Sequence, residues 1–208
     1  MATNNFERTG QCPEKVCIQA KRVFDACIKQ ISLQQIAIRV RNVTPTDPVV
    51  PLRFLSARSS QTTGTLNDLV VERLSEKRNY GRVQANLTVP LNVTYLDVNN
   101  VEGVGGGTLV LPIDVVMYLP EPSVIPYQIE ATVSAICPEG TYTSTEVVDG
   151  ETVYIFTINV CLTVILKVTM DVELVVSTFG YAQIPPAQDY TQEVCSGYFE
   201  LPLYPQNG

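Results

Sequence analysis

Six cysteines, at positions 12, 17, 27, 137, 161 and 195, are the side chains of this 208-residue sequence best equipped for chemistry. A thiolate can attack an electrophile, ligate a soft metal or join a second cysteine. Nucleophilic use needs a base, and the sequence has no histidine, which is the commonest base, the commonest metal ligand and the switch of the neutral range. Serine and threonine are abundant, but no GxSxG occurs and no histidine is present to activate a hydroxyl. Cys12-x4-Cys17-x9-Cys27 contains neither a CxxC pair nor a histidine, a poor spacing for zinc. The sequence therefore reads as a non-enzyme, with no catalytic residue, cofactor or metal expected.

Two uses of the thiols remain. Cys27 and Cys137 fall on apolar faces and fit the reading of buried free thiols. Cys161 falls on the polar face of its strand, and Cys12, Cys17 and Cys195 lie in terminal segments, where a cysteine is placed to tie the segment to something else. Cys12, Cys17, Cys27, Cys161 and Cys195 are accordingly candidates for disulfides between subunits. The start, MATNNFERTGQCPEKVC, lacks the basic-then-apolar pattern of a secretory leader, so synthesis in a cytoplasm is expected. Disulfides are uncommon there, which asks for a later, oxidising location such as a cell surface.

The remaining motifs resolve as turns. GVGGG (Gly103–Gly107) lacks the GxGxxG spacing and reads, within Asn99–Gly107, as a flexible connection between strands. Asp97, Asn99, Asn100 and Glu102 lack the sixth-position glycine and distal glutamate of a calcium loop. Glu146, Asp149 and Glu151 surround an Asp-Gly turn, with a surface cation near Asp149 as the second reading. Three glycosylation-type triplets begin at Asn42, Asn86 and Asn92, a pattern that polar residues two apart on a strand also produce.

The elements that hold these residues are extended. Phe156–Val176 is long and apolar enough to suggest a membrane span, yet Lys167, Asp171 and Glu173 interrupt it and its even positions from Tyr154 to Val176 are all apolar or aromatic. A period of two is a strand with one buried face, so no membrane span is expected. At about 3.3 Å per residue, some 25 such residues reach about 80 Å, and the strand must bend, outrun its domain or conceal a hairpin. Val83 to Tyr95, Leu109 to Leu119 and Ile125 to Cys137 repeat the alternation at odd positions. Pro138–Glu151 is polar and reads as turn-rich. Near the start, Ala20, Val23, Phe24, Cys27, Ile28 and Ile31 have the spacing of one helical face, although Val16, Ile18 and Ala20 also alternate as an extended arm would.

These elements predict an all-β chain: a two-layer, jelly-roll-like β-sandwich over 33–180, an N-terminal arm or short helix over 1–32, and an extended Pro- and Tyr-rich segment over 181–208. Val23, Phe24, Ile28 and Ile31 would form an apolar face by which the arm docks. Charge is uneven along the chain. Residues 1–82 hold thirteen of the fourteen basic side chains against seven acids, a net of +6, while residues 83–208 hold Lys167 against fourteen acids, a net of −13. The basic residues are dispersed and lack interleaved aromatics, so nucleic acid is not expected as a partner. One reading is solvated faces that happen to differ; the sharper one is a polar subunit whose basic end meets the acidic end of its neighbour.

VCIQAKRVFDACIKQISLQQ, GRVQANLTVPLNVTYLDVNN and FTINVCLTVILKVTMDVELVVSTFGYAQIP together resemble uncharacterised proteins of spore-forming clostridia, and the β portion is similar to the SPOCS-type domain of spore-coat assembly proteins. The resemblance spans about residues 15 to 185. It implies a structural, self-assembling subunit of a spore coat or an appendage fibre, whose partner is itself and whose final location is the spore or cell surface. No catalytic motif comes with it. A carbohydrate- or surface-binding sandwich module and a viral capsid or tail protein are the alternatives compatible with the same pattern.

Overall fold

The computed structural model describes residues 14–178 and Gly180, and among these it contains strands and connections but no helix. The strands are β1 (Glu14–Thr44), β2 (Arg53–Ser59), β3 (Thr63–Arg73), β4 (Tyr80–Leu96), β5 (Glu102–Tyr118), β6 (Gln128–Val148) and β7 (Glu151–Thr178). They make one antiparallel sheet in the order β2-β4-β3-β6-β7-β1-β5, with further ladders joining β2 to β6 and β4 to β5. Followed from β4 through β3, β6, β7, β1 and β5, the ladders return to β4.

Two prolines fall where the sheet can spare a donor. β2 and β3 serve as one interrupted strand, pairing with β4 from Arg53↔Leu96 to Ser59↔Leu91 and again from Thr65↔Thr88 to Arg73↔Gly81. The interruption lies opposite Pro90, which has no N–H, and the Ser60 N–H donates to the Pro90 carbonyl at 3.0 Å. β4 and β5 then pair without a break from Tyr80↔Tyr118 to Leu96↔Glu102. Within β5, Pro112 has the same parity as Tyr118, whose N–H points away from β4 to a side chain of β1, so Pro112 subtracts nothing from the β4 ladder.

The alternating faces meet inside. Val83, Ala85, Leu87, Val89, Leu91, Val93 and Tyr95 of β4 are all buried, as are Leu109, Leu111, Ile113 and Met117 of β5 and the even positions of β7 from Tyr154 to Val168. Phe156 of β7 lies 6.1 Å from the ring of Phe54, 6.3 Å from Tyr95 and 5.8 Å from Tyr142. Because β4 and β7 are not neighbours in the sheet, the Tyr95–Phe156 contact crosses the interior.

By its contacts the chain divides into two units, Lys21–Asp171, which carries the core, and Met1–Ala20 together with Val172–Gly208. β7 is one uninterrupted 28-residue strand, so the long alternation hides no hairpin. β1 likewise crosses position 32 without a break.

Of three local expectations, the first resolves to its extended alternative and the other two are corrected. The helical spacing at Ala20–Ile31 belongs to a strand whose inward parity changes: Phe24 faces the core, then Cys27, Ile31 and Leu33, then Ile36, Ile38 and Val40. Asp25, which accepts the Ala26 N–H at 2.8 Å, and Gln35, at φ 56° with its N–H on Asn159 Oδ1, mark the two changes. A parity change in a strand produces apolar residues three and four apart, which imitates a helical face. The GVGGG stretch is not a loop, because Glu102–Gly107 lies in β5 in full register with β4. Its glycines admit close neighbours: a Cβ on Gly103 would lie 2.5 Å from Tyr95 Cζ, and one on Gly105 would lie 2.5 Å from Val40 Cγ1. The polar stretch from Pro138 is strand up to Val148, and only Asp149-Gly150, at φ 55° and 82°, makes the turn into β7.

Candidate assembly surfaces

On the outer face of β1, β6 and β7 lies an open groove of about 380 Å³. Gln30, Ser32, Ser134, Ile136, Cys161 and Thr163 line it. Short side chains on three adjacent strands leave the hollow, and Ile136, directly paired with Cys161 in the β6–β7 ladder, stands exposed beside it. Cys161 is exposed, as is Cys17, whereas Cys27 is half-buried and Cys137 buried. No disulfide joins the described cysteines; Cys12 and Cys195 lie outside the described residues.

Burial separates the thiols chemically. Desolvation pushes the Cys137 thiol up to about 11, so it stays protonated at neutral pH. Burial also raises Cys27, with the Asp25 carboxylate adding to the effect and a backbone hydrogen bond near Leu166 opposing it. A thiol held protonated is a poor nucleophile and a poor partner for disulfide exchange. Exposure makes Cys17 and Cys161 the accessible pair among the described cysteines.

The four residues expected to form a docking face do not share one. Phe24 and Ile31 pack against the core of their own chain, with the Arg22 guanidinium 4.6 Å from the centre of the Phe24 ring, while Val23 and Ile28 point outward at 51% and 64% exposure. The parity change at Asp25 puts Phe24 and Ile31 inward and Val23 and Ile28 outward, a division that one helical face would not make.

The two ends of the core unit differ. At one, β6 and β7 pair onward from Glu139↔Asn159 to Val148↔Glu151, beyond Ala57↔Cys137 where β2 meets β6. Their turn carries Glu146, Asp149 and Glu151, with Arg39 3.9 Å from Glu146 and Val147 73% exposed. Among the described residues no group of three or more Cys, Asp or Glu is placed to hold a metal ion. At the other end the β3–β4 turn presents Arg73, Lys77 and Arg78 around Glu76. The Arg73 guanidinium donates to the carbonyls of Arg78 and Pro120, and the Leu119 N–H donates to the Asn79 carbonyl at 2.8 Å. These bonds bring the β5–β6 connection against the turn, with Val124 fully exposed and Ile125 mostly so.

Sequence reasoning missed Val147 and Val124, whose signal was an apolar residue inside a polar or Pro-broken stretch. It placed Ile125 on the alternating face that runs to Cys137, but Ile125 precedes β6 and is 57% exposed. The Asp97–Val101 connection is a turn, in which Asp97 Oδ1 accepts the Val101 N–H at 2.9 Å and the Asp97 carbonyl accepts the Asn100 N–H at 3.0 Å. Of the triplet asparagines, Asn86 is exposed on β4 and donates to Asp68 at 3.0 Å.

No helix long and apolar enough to cross a membrane occurs among the described residues. Compared with known protein families, with characterised proteins and with solved structures, the chain shows no match.

Proposed function

We propose that the protein is a non-enzymatic structural subunit that assembles with copies of itself into a filament or surface layer, a spore coat or appendage in line with the resemblance stated above. Its sheet is read as two packed layers of a jelly-roll-like sandwich, a reading supported by the Tyr95–Phe156 contact across the interior. The observation that carries the assembly reading is the second unit. The outer parts of β1 and β7 that belong to it expose Ile18, Leu174 and Val175, together with Cys17. Apolar strand surface left in water favours a partner, and strand ends are a ready template for one.

The joint is proposed to be locked by a disulfide between cysteines of different subunits, drawn from Cys12, Cys17, Cys161 and Cys195, with the half-buried Cys27 the least suited of the sequence candidates. Two Sγ–H bonds give one S–S bond, and the two electrons and two protons pass to dissolved dioxygen as peroxide. Tethering makes re-docking intramolecular, at an effective concentration in the ~mM range for a short link. Air-oxidised protein, boiled in detergent, should run as a ladder of multimers without reductant and collapse with it to the 22.9 kDa chain. Monomer in both lanes, with only single particles in negative stain, overturns the reading.

A further inference from the structure

We propose that the β6–β7 hairpin tip, Glu146–Glu151, seats on the β3–β4 turn and the Val124–Ile125 connection of a second copy, so that subunits add head to tail. This rests on the assembly reading above and names the surfaces that would carry it. The two patches lie at opposite ends of the core unit, as the register requires: Arg53↔Leu96 marks one end of β4 and Tyr80↔Tyr118 the other. β6 leaves β2 at Cys137 and runs on past the first end, whereas the β3–β4 turn and the β5–β6 connection close the second.

Their chemistry is complementary. From residue 138 to residue 166 there is no Lys or Arg, and the hairpin carries Glu139, Glu146, Asp149 and Glu151, of which, among the described residues, only Glu146 has a basic side chain of its own chain within 4 Å. The receiving turn offers Arg73, Lys77 and Arg78 against Glu76, and Glu121 is the acid of the adjoining connection. Lys77 lies 5.7 Å from the centre of the exposed Tyr80 ring. Each patch also has an apolar knob in water, Val147 on the tip and Val124 with Ile125 on the receiver. Opposite charges steer and orient the encounter, and the apolar groups supply burial once it is made. Because the patches are different surfaces on opposite ends, the contact is heterologous and propagates instead of closing a dimer.

The test uses full-length chains kept in reductant, so that disulfides play no part. Sedimentation velocity and negative-stain microscopy follow the wild type, Glu146→Lys/Glu151→Lys, Lys77→Glu/Arg78→Glu, and an equimolar mixture of the two variants. Asp149 is left alone because its positive φ favours Asp, Asn or Gly. Each variant alone should need about tenfold or more protein to assemble, and the mixture should recover assembly, because each reversed patch then finds an opposite partner. Wild-type assembly should also weaken as salt rises from about 50 mM to about 500 mM. Val147→Ser, which leaves every charge in place, should raise the required concentration without changing the salt response. Variants that assemble like a polymerising wild type overturn this interface and leave the assembly reading standing. A wild type that stays monomeric at all concentrations in reductant overturns this interface, and it overturns the assembly reading as well if the air-oxidised protein is also monomeric.

Discussion

Asp25 of β1 accepts the backbone N–H of Tyr118 of β5 at 2.7 Å, a bond that spans 93 positions of sequence. The backbone ladder between these strands is short, running from Val40↔Gly107 to Thr44↔Val104, so the carboxylate closes the far end of a seam that hydrogen bonds between main chains close only at the near end. Lys29 lies on the same side, where its charge joins Arg82 in holding the Asp114 carboxyl below its usual range.

Asp25→Ala should therefore cost about 1–3 kcal/mol in urea unfolding, because it strands a part-buried N–H. Asp25→Asn keeps an acceptor oxygen and should lose less than half of that. Equal losses in the two variants would mean that charge, and not the hydrogen bond to Tyr118, is what the site uses.

Tyr95 supplies a second prediction. Its side chain is wholly buried, its hydroxyl has no hydrogen-bond partner among the described residues, and that oxygen lies 2.6 Å from where a Cβ on Gly103 would stand. Gly103→Ala forces the ring or the β5 backbone to move and should cost about 1–3 kcal/mol. Tyr95→Phe removes an unsatisfied polar atom and should be neutral or stabilising by up to about 1 kcal/mol. A large loss in Tyr95→Phe would show that the hydroxyl has a partner, such as a bound water.

Truncation distinguishes the terminal segment from the sheet. Residues 21–32 belong to the core unit, where Phe24, Cys27 and Ile31 pack on buried side chains. Deleting residues 1–32 should then cost more than about 3 kcal/mol or abolish folding, as the loss of several packed apolar groups does. Deleting residues 1–13 removes none of the described strands and is the reference against which that loss is read. Equal transitions for the two truncations would show that β1 contributes nothing before Leu33.

The division between what was legible and what was not follows the period of two. Strands with an unbroken alternation, β4 from Val83 to Tyr95 and β7 from Tyr154 to Val168, could be read residue by residue, because each inward side chain is apolar while most of the residues between are polar, Ile155 and Ile165 of β7 being exceptions. β1 was illegible where Asp25 and Gln35 change its parity, since one strand then writes the spacing of a helix. β5 was read as loop at Gly103–Gly107 because glycine loses its turn meaning when a neighbour's bulk, here Tyr95 and Val40, takes the place of the side chain. The candidate site was legible only as charge and thiols. Cys161 could be assigned to a polar face, but the groove around it needs Gln30, Ser134 and Cys161 from three strands, and the opposition of the Glu146–Glu151 tip to the Arg73–Arg78 turn follows from register. Neither is local in sequence.

The last prediction concerns pH and the buried thiol. Cys137 has its pKa raised by burial, then by the neighbouring Cys161, from 9.0 to about 11, so the folded state holds this proton more tightly than the unfolded chain does. Its contribution to stability is fully present below pH ~9, declines as the unfolded thiol ionises, and is lost as pH rises through ~11. Tyr95 and Tyr154, also raised by burial, act in the same direction above their ordinary range, so the wild type alone cannot assign the effect. Cys137→Ala removes one titration and leaves the tyrosines. The difference in unfolding free energy between wild type and variant should therefore shrink by up to ~3 kcal/mol as pH rises from ~8 to ~11. Thiol labelling at pH ~8 supplies the independent check, since Cys161 should react in the native protein and Cys137 only after unfolding. A pH-independent difference, or native labelling of Cys137 at the rate of Cys161, would show that this face of the core opens to solvent.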